Sequence, residues 1–394
     1  MLEFEPSGLE MTEERRQIRE SIKALCSPFD DRYWYEKDTK HEFPHEFRAA
    51  IAQQGWLGIT MPVDYGGSGL GVTEAAIMMR TIAESGAGMS GASAVHINVF
   101  GLNPVVVFGT DEQKRRMLPG MIDGREKACF AVTEPNTGLN TTQLKTRAVR
   151  KSDRYVVDGT KVWISTAQVA DKILLLARTT PLEEVGRATE GLSLFYTDLD
   201  RSRIKVHEIE KMGRKAVDSN ELFIESFEVP LADRLGEEGK GFEYILHGMN
   251  PERILIAAEA VGLGMLALQR AAAYARERVV FNRPIGQNQA IQHPLAKNWM
   301  ELEAAWLMTL SAAWQYDQGK PAGAAANAAK YLAGEAGFEA CQQAVMTHGG
   351  FGYAKEFHVE RYLREIMIPR IAPVSRELIL SFIAEKVLGL PKSY

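Results

Sequence analysis

The sequence has little of what builds disulfide frameworks and structural metal sites. Its 394 residues hold three cysteines, Cys26, Cys129 and Cys341. They are odd in number, widely spaced and free of any CxxC pair, which argues against a disulfide scaffold or zinc ribbon and fits a reducing, cytoplasmic setting. In "HEFPHEF", His41 and His45 stand at helical metal-pair spacing. Pro44 between them disfavours a continuous helix and no third ligand lies nearby, so no metal is expected. An excess of one charge is also missing: 46 basic and 51 acidic residues leave a net charge of −5. Without a basic run interleaved with aromatics, nucleic acid is not an expected partner. The opening stretch "MLEFEPSGLEMTEERRQ" carries acids where a secretory signal has bases, and it lacks an apolar core. No apolar stretch approaches the roughly 18 residues needed to cross a bilayer, so membrane insertion is not expected.

What the chain does have is enough apolar content, 45%, to bury one large core or two to three smaller ones. Ile18, Ile22 and Leu25 recur at helical spacing after Thr12, Phe47 and Ile51 close a second helical pattern, and residues 72 to 128 continue in that style. Between about Ala128 and Pro230 the character changes to short β-rich runs: "CFAVTE", "RYVVDGTKVWIS", "KILLLART", "LSLFYTDL", "IKVHEI" and "ELFIESFEV". The Asp158-Gly159 pair within them reads as a hairpin signal. After Gly239 the helical period returns and holds to the C-terminus. The reading is an α+β multidomain chain, with an N-terminal helical domain (1–127), a middle β domain (128–232) and a C-terminal helical domain (233–394) packed as one body.

Some local signals are bland by themselves. "GGSGLG" (66–71) lacks a P-loop lysine and follows no β-run, so it reads as a turn, and "HGGFGY" (348–353) reads as a helix-ending loop. Trp163 on a β-run is equally consistent with core. "GMNPERILI" (248–256) follows helix-start grammar: Asn250 as N-cap, Pro251 at the first helical position, Glu252 in the first turn beside the positive end of the helix dipole.

Five longer stretches change the weight of these signals: "CFAVTEPNTG" (129–138), "GTKVWISTAQVAD" (159–171), "KMGRKAVDSNELFIESFEVP" (211–230), "RERVVFNRPIGQNQAIQ" (276–292) and "HGGFGY". Together, in this order, they resemble the acyl-CoA dehydrogenase family from about residue 10 to the C-terminus. The resemblance implies a helical domain, a middle β-barrel or sandwich and a C-terminal four-helix bundle. It implies FAD at the junction of the second and third parts, in a homotetramer built as a dimer of dimers. Phe130, Val132 and Thr133 then face the pyrimidine side of the flavin, with Gly138 in the loop that follows, and Trp163 and Ser165 sit by the dimethylbenzene side and N5. Arg278, Phe281 and Gln289 reach the FAD of a neighbouring subunit, and Gly349 and Gly350 let backbone approach a phosphate. Leu139, with Asn140, replaces the usual Ser-Asp near the CoA and flavin phosphates, while Met346, Val374 and Arg376 depart from the usual adenosine contacts.

The family's reaction is α,β-dehydrogenation of a fatty acyl-CoA thioester, with electrons passed to electron-transfer flavoprotein, and it needs a carboxylate base. In many members that acid stands in a C-terminal loop, where this chain has Ala372 in "RIAPVSREL". A subgroup, including isovaleryl-CoA and long-chain acyl-CoA dehydrogenases, carries it on a helix immediately before an arginine. Glu252-Arg253 matches that arrangement, so the resemblance implies Glu252 as base with Arg253 steadying it and Asn250 beside the substrate. The Ala372 N–H is left as a donor to the thioester oxygen. Such a base works near neutrality only if burial outweighs the helix dipole. The same fold also houses flavin oxidases and monooxygenases, and a non-catalytic acyl-CoA-binding relative is the remaining alternative.

Overall fold

The computed structural model describes residues 11–393; much of the stretch read for an export signal, residues 1–10, lies outside them. Thr12 opens α1 (Glu13–Cys26) by accepting a hydrogen bond from the Arg15 N–H, and Ile18, Ile22 and Leu25 form its buried stripe. Next come α2 (Asp31–Lys40) and α3 (His45–Gln53). His41 takes a left-handed conformation past the end of α2 while His45 begins α3, so the two histidines share no helix. α4 (Val72–Ile82) and α5 (Gly88–Phe100) are joined by a π-helical turn in which Gly86 has φ 105°. The short α6 (Asn103–Phe108) and α7 (Asp111–Ile122) complete the N-terminal helices.

Strands β1 (Ala128–Ala131), β2 (Arg147–Arg150), β3 (Arg154–Ser165), β4 (Lys172–Arg178), β5 (Leu192–Asp198), β6 (Ile204–Glu208), β7 (Ser219–Pro230) and β8 (Arg234–Leu235) form one sheet. Its order is β6-β7-β3-β2-β4-β5-β8, with β1 parallel to β4. In β4, Leu174 and Leu176 enter one hydrophobic cluster and Ile173 and Leu175 another, so the strand is buried on both faces. Asp158-Gly159 does not make the expected hairpin. It lies within β3 at a register shift against β7, where Asp158 accepts from the Ser226 N–H at 2.8 Å and a Cβ on Gly159 would come within 2.4 Å of Thr146. A bulge and a tight turn ask for the same residue types, which is why the pair misleads.

The last third holds α8 (Gly241–His247), α9 (Met249–Glu277), a two-stranded turn of β9 (Val279–Val280) and β10 (Arg283–Pro284), then α10 (Gln289–Asp317), α11 (Gly323–His348), α12 (Val359–Glu365), α13 (Ile368–Ile371) and α14 (Arg376–Lys386). One continuous core spans α1, α3, α4 and α5 together with α9, α10 and α11, so the first and third parts bury a common surface. Their helix starts are shared as well. Gly71 and Ala87, at the cap positions of α4 and α5, offer no side-chain acceptor. Instead, Asp317 accepts from the Val72 and Thr73 N–H groups at 2.7 and 2.9 Å. Glu365 in turn accepts from the Met89 and Ser90 N–H groups at 2.7 and 3.2 Å.

One sequence expectation is overturned here. Two helical runs, Val72–Phe108 and Gly241–Glu277, are long and apolar enough by length and composition to cross a membrane. The most apolar windows of these runs are 67% and 89% buried inside the fold, as befits helices that line a protein core, and scattered charges such as Glu259 had hidden their apolar character.

Candidate active site

The candidate base lies where α8 runs into α9. Asn250 is not the N-cap and Pro251 is not at the first helical position: α9 begins at Met249 behind Gly248, and the Glu252 N–H already bonds to the Gly248 carbonyl at 3.1 Å. Pro251 therefore sits third in the helix, where its missing N–H would have lacked an intrahelical partner anyway. Asn250 accepts instead from Arg253 Nη1 at 3.0 Å. That corrects the steadying role expected of Arg253, which acts on Glu252 through its charge rather than through a bond. Glu252 is half-buried, and its Oε2 is shielded from solvent without a hydrogen-bond partner. Burial pushes its pKa up to about 7 against the opposing pull of His96, Arg253 and Lys330.

The groups around Glu252 include several that sequence reasoning missed. Glu259, one heptad further along α9 and fully buried, bonds His96 Nδ1 from α5. Burial alone would depress the His96 imidazole, but the charges of Glu259 and Glu252 raise it above its ordinary value. Lys330 on α11 donates to the Val374 carbonyl at 2.5 Å and is held down to about 8, chiefly by burial. The one available signal was a lone charge inside an apolar helical run, as in "ASAVHINVF", "ILIAAEAVG" and "AANAAKYLA". The donor role expected of Ala372 is also corrected: its N–H is committed to the Ile368 carbonyl at 2.9 Å.

A second group forms at the ends of β1 and β3. The Val162 N–H donates to the Thr133 carbonyl at 2.9 Å, which ties the Phe130–Thr133 edge to the strand bearing Trp163 and Ser165. Behind them, fully buried Lys161 donates to the Val132 carbonyl at 2.9 Å and to Glu134 at 3.0 Å. Trp163 is not core. It is 58% exposed, at φ 61°, within the stretch where β3 and β7 lose register. The result is a broad aromatic face turned out of the sheet, with the partly exposed Thr133 and Ser165 at the same strand ends. The two groups are linked through α5: His96 packs edge-on to Phe100 at 4.7 Å between ring centres, and Phe100 lies 5.4 Å from Phe130.

A third group is separate from these. Arg278 lies over the Phe351 ring at 5.6 Å, close to Gly349 and Gly350 at the end of α11. Phe281 on the β9–β10 turn is 94% exposed, and Gln289 at the start of α10 is also exposed. A Cβ on Gly138, Gly349 or Gly350 would meet nothing within 4 Å, so all three glycines border open surface, as does exposed Leu139. Among the adenosine-side departures, Met346 is exposed and Arg376 pairs with Glu335 at 3.3 Å. Among the described residues, no group of three or more His, Cys, Asp or Glu side chains could hold a metal ion.

Comparison with known proteins places nearly the whole chain in one family. The acyl-CoA dehydrogenase N-terminal, middle and C-terminal domain families match residues 12–125, 129–227 and 239–388. Acyl-CoA dehydrogenase FadE12 of Mycobacterium tuberculosis is 37% identical over 389 residues, 97% of this chain and 98% of that protein. The caffeyl-CoA reductase-Etf complex subunit CarC of Acetobacterium woodii is 34% identical over 337 residues, 84% of this chain and 87% of its own length. Among solved structures, butyryl-CoA dehydrogenase from Megasphaera elsdenii superposes with a TM-score of 0.90 at 26% identity, covering 98% of this chain and 100% of that one. With its three parts matched in order and a relative of this similarity along nearly its full length, the chain belongs to the acyl-CoA dehydrogenase family of FAD-binding oxidoreductases.

Proposed function

We propose that the protein catalyses α,β-dehydrogenation of an acyl-CoA thioester to the trans-2-enoyl-CoA, with Glu252 as the base. The observation that carries this reading is the buried, unpartnered Glu252 Oε2 on a carboxyl held near pH 7. Glu259 also has an unpartnered Oε2 but is bonded to His96 through its other oxygen; among the described residues no hydrogen bond holds the Glu252 carboxyl, which leaves it free to take a proton.

The residues present fit the flavin. Trp163 and Phe130 offer apolar wall, Thr133 and Ser165 offer hydroxyls, and the Thr137 hydroxyl in the loop beside Gly138 is buried without a partner, as a contact awaiting a bound group would be. FAD, when bound, supplies the acceptor for the β-hydrogen as hydride. This chain's own residues do the rest. Glu252 takes the α-proton, the positive charges of His96, Arg253 and Lys330 keep part of its population ionised, and the wall residues exclude water.

Electron-transfer flavoprotein is the proposed electron acceptor, and a relative that is part of an Etf complex supports it. The reverse direction, reduction of an enoyl-CoA, calls on the same groups, because a carboxyl near pH 7 is populated in both forms and its acid form can return the proton. The exposed Arg278, Phe281 and Gln289 support a FAD site shared between subunits of a homotetramer.

The deciding experiment is anaerobic titration of the purified yellow protein with a panel of acyl-CoAs. Loss of the flavin absorbance with at least one of them is the expected result; a flavin that none of them bleaches overturns the reading. For the shared site, Arg278→Ala is expected to purify largely as apoprotein, and full FAD content would refute it.

A further inference from the structure

Arg214 lies in the loop between β6 and β7 with φ 54°, and no step of the dehydrogenation calls on it. Its guanidinium gathers three hydroxyls from three elements. Nη1 donates to Ser93 Oγ on α5 at 3.2 Å, and Nη2 donates to Ser165 Oγ at the end of β3 at 3.0 Å and to Ser219 Oγ at the start of β7 at 3.4 Å. Its Nε is buried and unpartnered. No carboxylate bonds it directly. Glu259, Glu365 and Asp218 face it at longer range and support its charge against the cost of burial. Lys211 stands on the same side and donates to Ser219 Oγ at 2.8 Å.

The direction of one of these bonds matters. Arginine has donors only, so Ser165 Oγ must be the acceptor in its bond with Arg214, and the serine's own hydrogen points elsewhere. Ser165 is partly exposed two residues beyond Trp163 at the end of β3, the strand end proposed to meet the flavin. A hydroxyl that accepts from a cation is also a stronger donor, because the two bonds polarise each other. Hydride transfer gives the ring one net negative charge, which a fixed positive charge at this depth favours.

We propose that Arg214 is a positioning residue for the flavin: it frees the Ser165 hydrogen for the ring edge and sets a permanent positive charge behind it, raising the reduction potential of the bound cofactor. The inference rests on the FAD placement proposed above, against Trp163 and Ser165, but not on the choice of base or of substrate.

The test is the midpoint potential of the purified holoproteins, measured by equilibration with redox dyes in the absence of any acyl-CoA. Arg214→Gln is expected to shift the reduced-to-oxidised ratio at a fixed potential at least tenfold toward the oxidised form, about 30 mV for a two-electron couple. Arg214→Lys, which keeps the charge but not the fork, is expected to shift it less. Ser165→Ala should also lower the potential, and the double variant Ser165→Ala/Arg214→Gln should fall short of the sum of the two, since they act through one bond. An unchanged potential in FAD-loaded Arg214→Gln overturns the proposal. Should that variant fail to fold, an unchanged potential in both Ser165→Ala and Arg214→Lys overturns it equally. If acyl-CoAs bleach the native flavin while these potentials stay fixed, only this inference fails; if the potentials move but no acyl-CoA bleaches the flavin, only the dehydrogenase reading fails.

Discussion

Two shielded carboxylates, one beyond β1 and one at the start of α9, behave in opposite ways. Glu134, just beyond β1, accepts from the Lys145 N–H at 2.8 Å, the Thr146 N–H at 2.9 Å and Lys161 Nζ at 3.0 Å. Burial alone would raise its pKa, but Lys161 and these bonds outweigh it and hold the carboxyl below its usual value. Glu252 is shielded too, yet its Oε2 has no partner and its carboxyl rises to about 7. Burial is common to both, so burial does not make a base. The lack of bonds to the charged form does. Glu134 fastens the edge of the proposed flavin face, while Glu252 is the proposed base.

The sharpest way to break this comparison is Glu252→Gln. Flavin reduction by acyl-CoA, followed by stopped-flow absorbance, is expected to slow by about 10² to 10⁴, the scale for removing an acid or base group. FAD content should hardly change and melting at neutral pH should not fall, because no hydrogen bond to Oε2 is lost and the cost of ionising a buried carboxyl is removed. Near-native turnover would remove Glu252 from the mechanism. Lys161→Met attacks the other carboxylate. It leaves Glu134 buried without its cation, and breaking a buried pair from one side costs about 3–5 kcal/mol, measurable by urea denaturation. A loss under about 1 kcal/mol would mean that the backbone donors alone satisfy Glu134.

The pH dependence sharpens the contrast, since the two groups carry opposite linkage signs. Glu252 has a folded value raised above the unfolded one near 4.3. The native state therefore holds a proton that the unfolded chain releases, and the associated stability is lost as pH rises from about 4 through about 7. Glu134 has a lowered folded value, so its contribution is present at neutral pH and is lost as pH falls through the carboxylate range. Glu252→Gln should flatten the decline between pH 5 and 7 and leave the acid limb alone. Flavin reduction by the native protein should rise with pH through about 7; a rate independent of pH from 6 to 8 would contradict the assignment.

Local patterns made some of this legible in the sequence. The Ile18, Ile22 and Leu25 stripe of α1 and the apolar run of β4 each state their own burial, because period and composition are properties of a short segment. β8 is two residues long and exists only through its pairing with β5, so no segment-level signal announces it. The candidate site was legible to the same degree. Glu252-Arg253 stands out through its family motif, but the lack of any bond to Oε2 is a fact of packing that no motif records. Arg214 reads in "KMGRKAVDS" as one more surface cation. Its gathering of Ser93, Ser165 and Ser219 depends on three elements meeting.

The helix caps of α4 and α5 were beyond local reading for the same reason, and they supply the mildest test of the comparison. Asp317 lies 245 residues from the Val72 N–H that it accepts, and it also accepts from the Thr73 hydroxyl at 2.6 Å. Like Glu134, it is a carboxylate whose bonds are made; unlike Glu134, it is exposed, so water can replace part of what it offers. Asp317→Ala is therefore expected to cost about 1 kcal/mol, the usual value of an N-cap, without altering the rate of flavin reduction. The two measurements separate structure from chemistry. If removing this bonded acid slowed reduction as Glu252→Gln is expected to, the distinction between partnered and unpartnered carboxylates would fail. The start of α4 would then be coupled to the base through the core that α4 and α9 share.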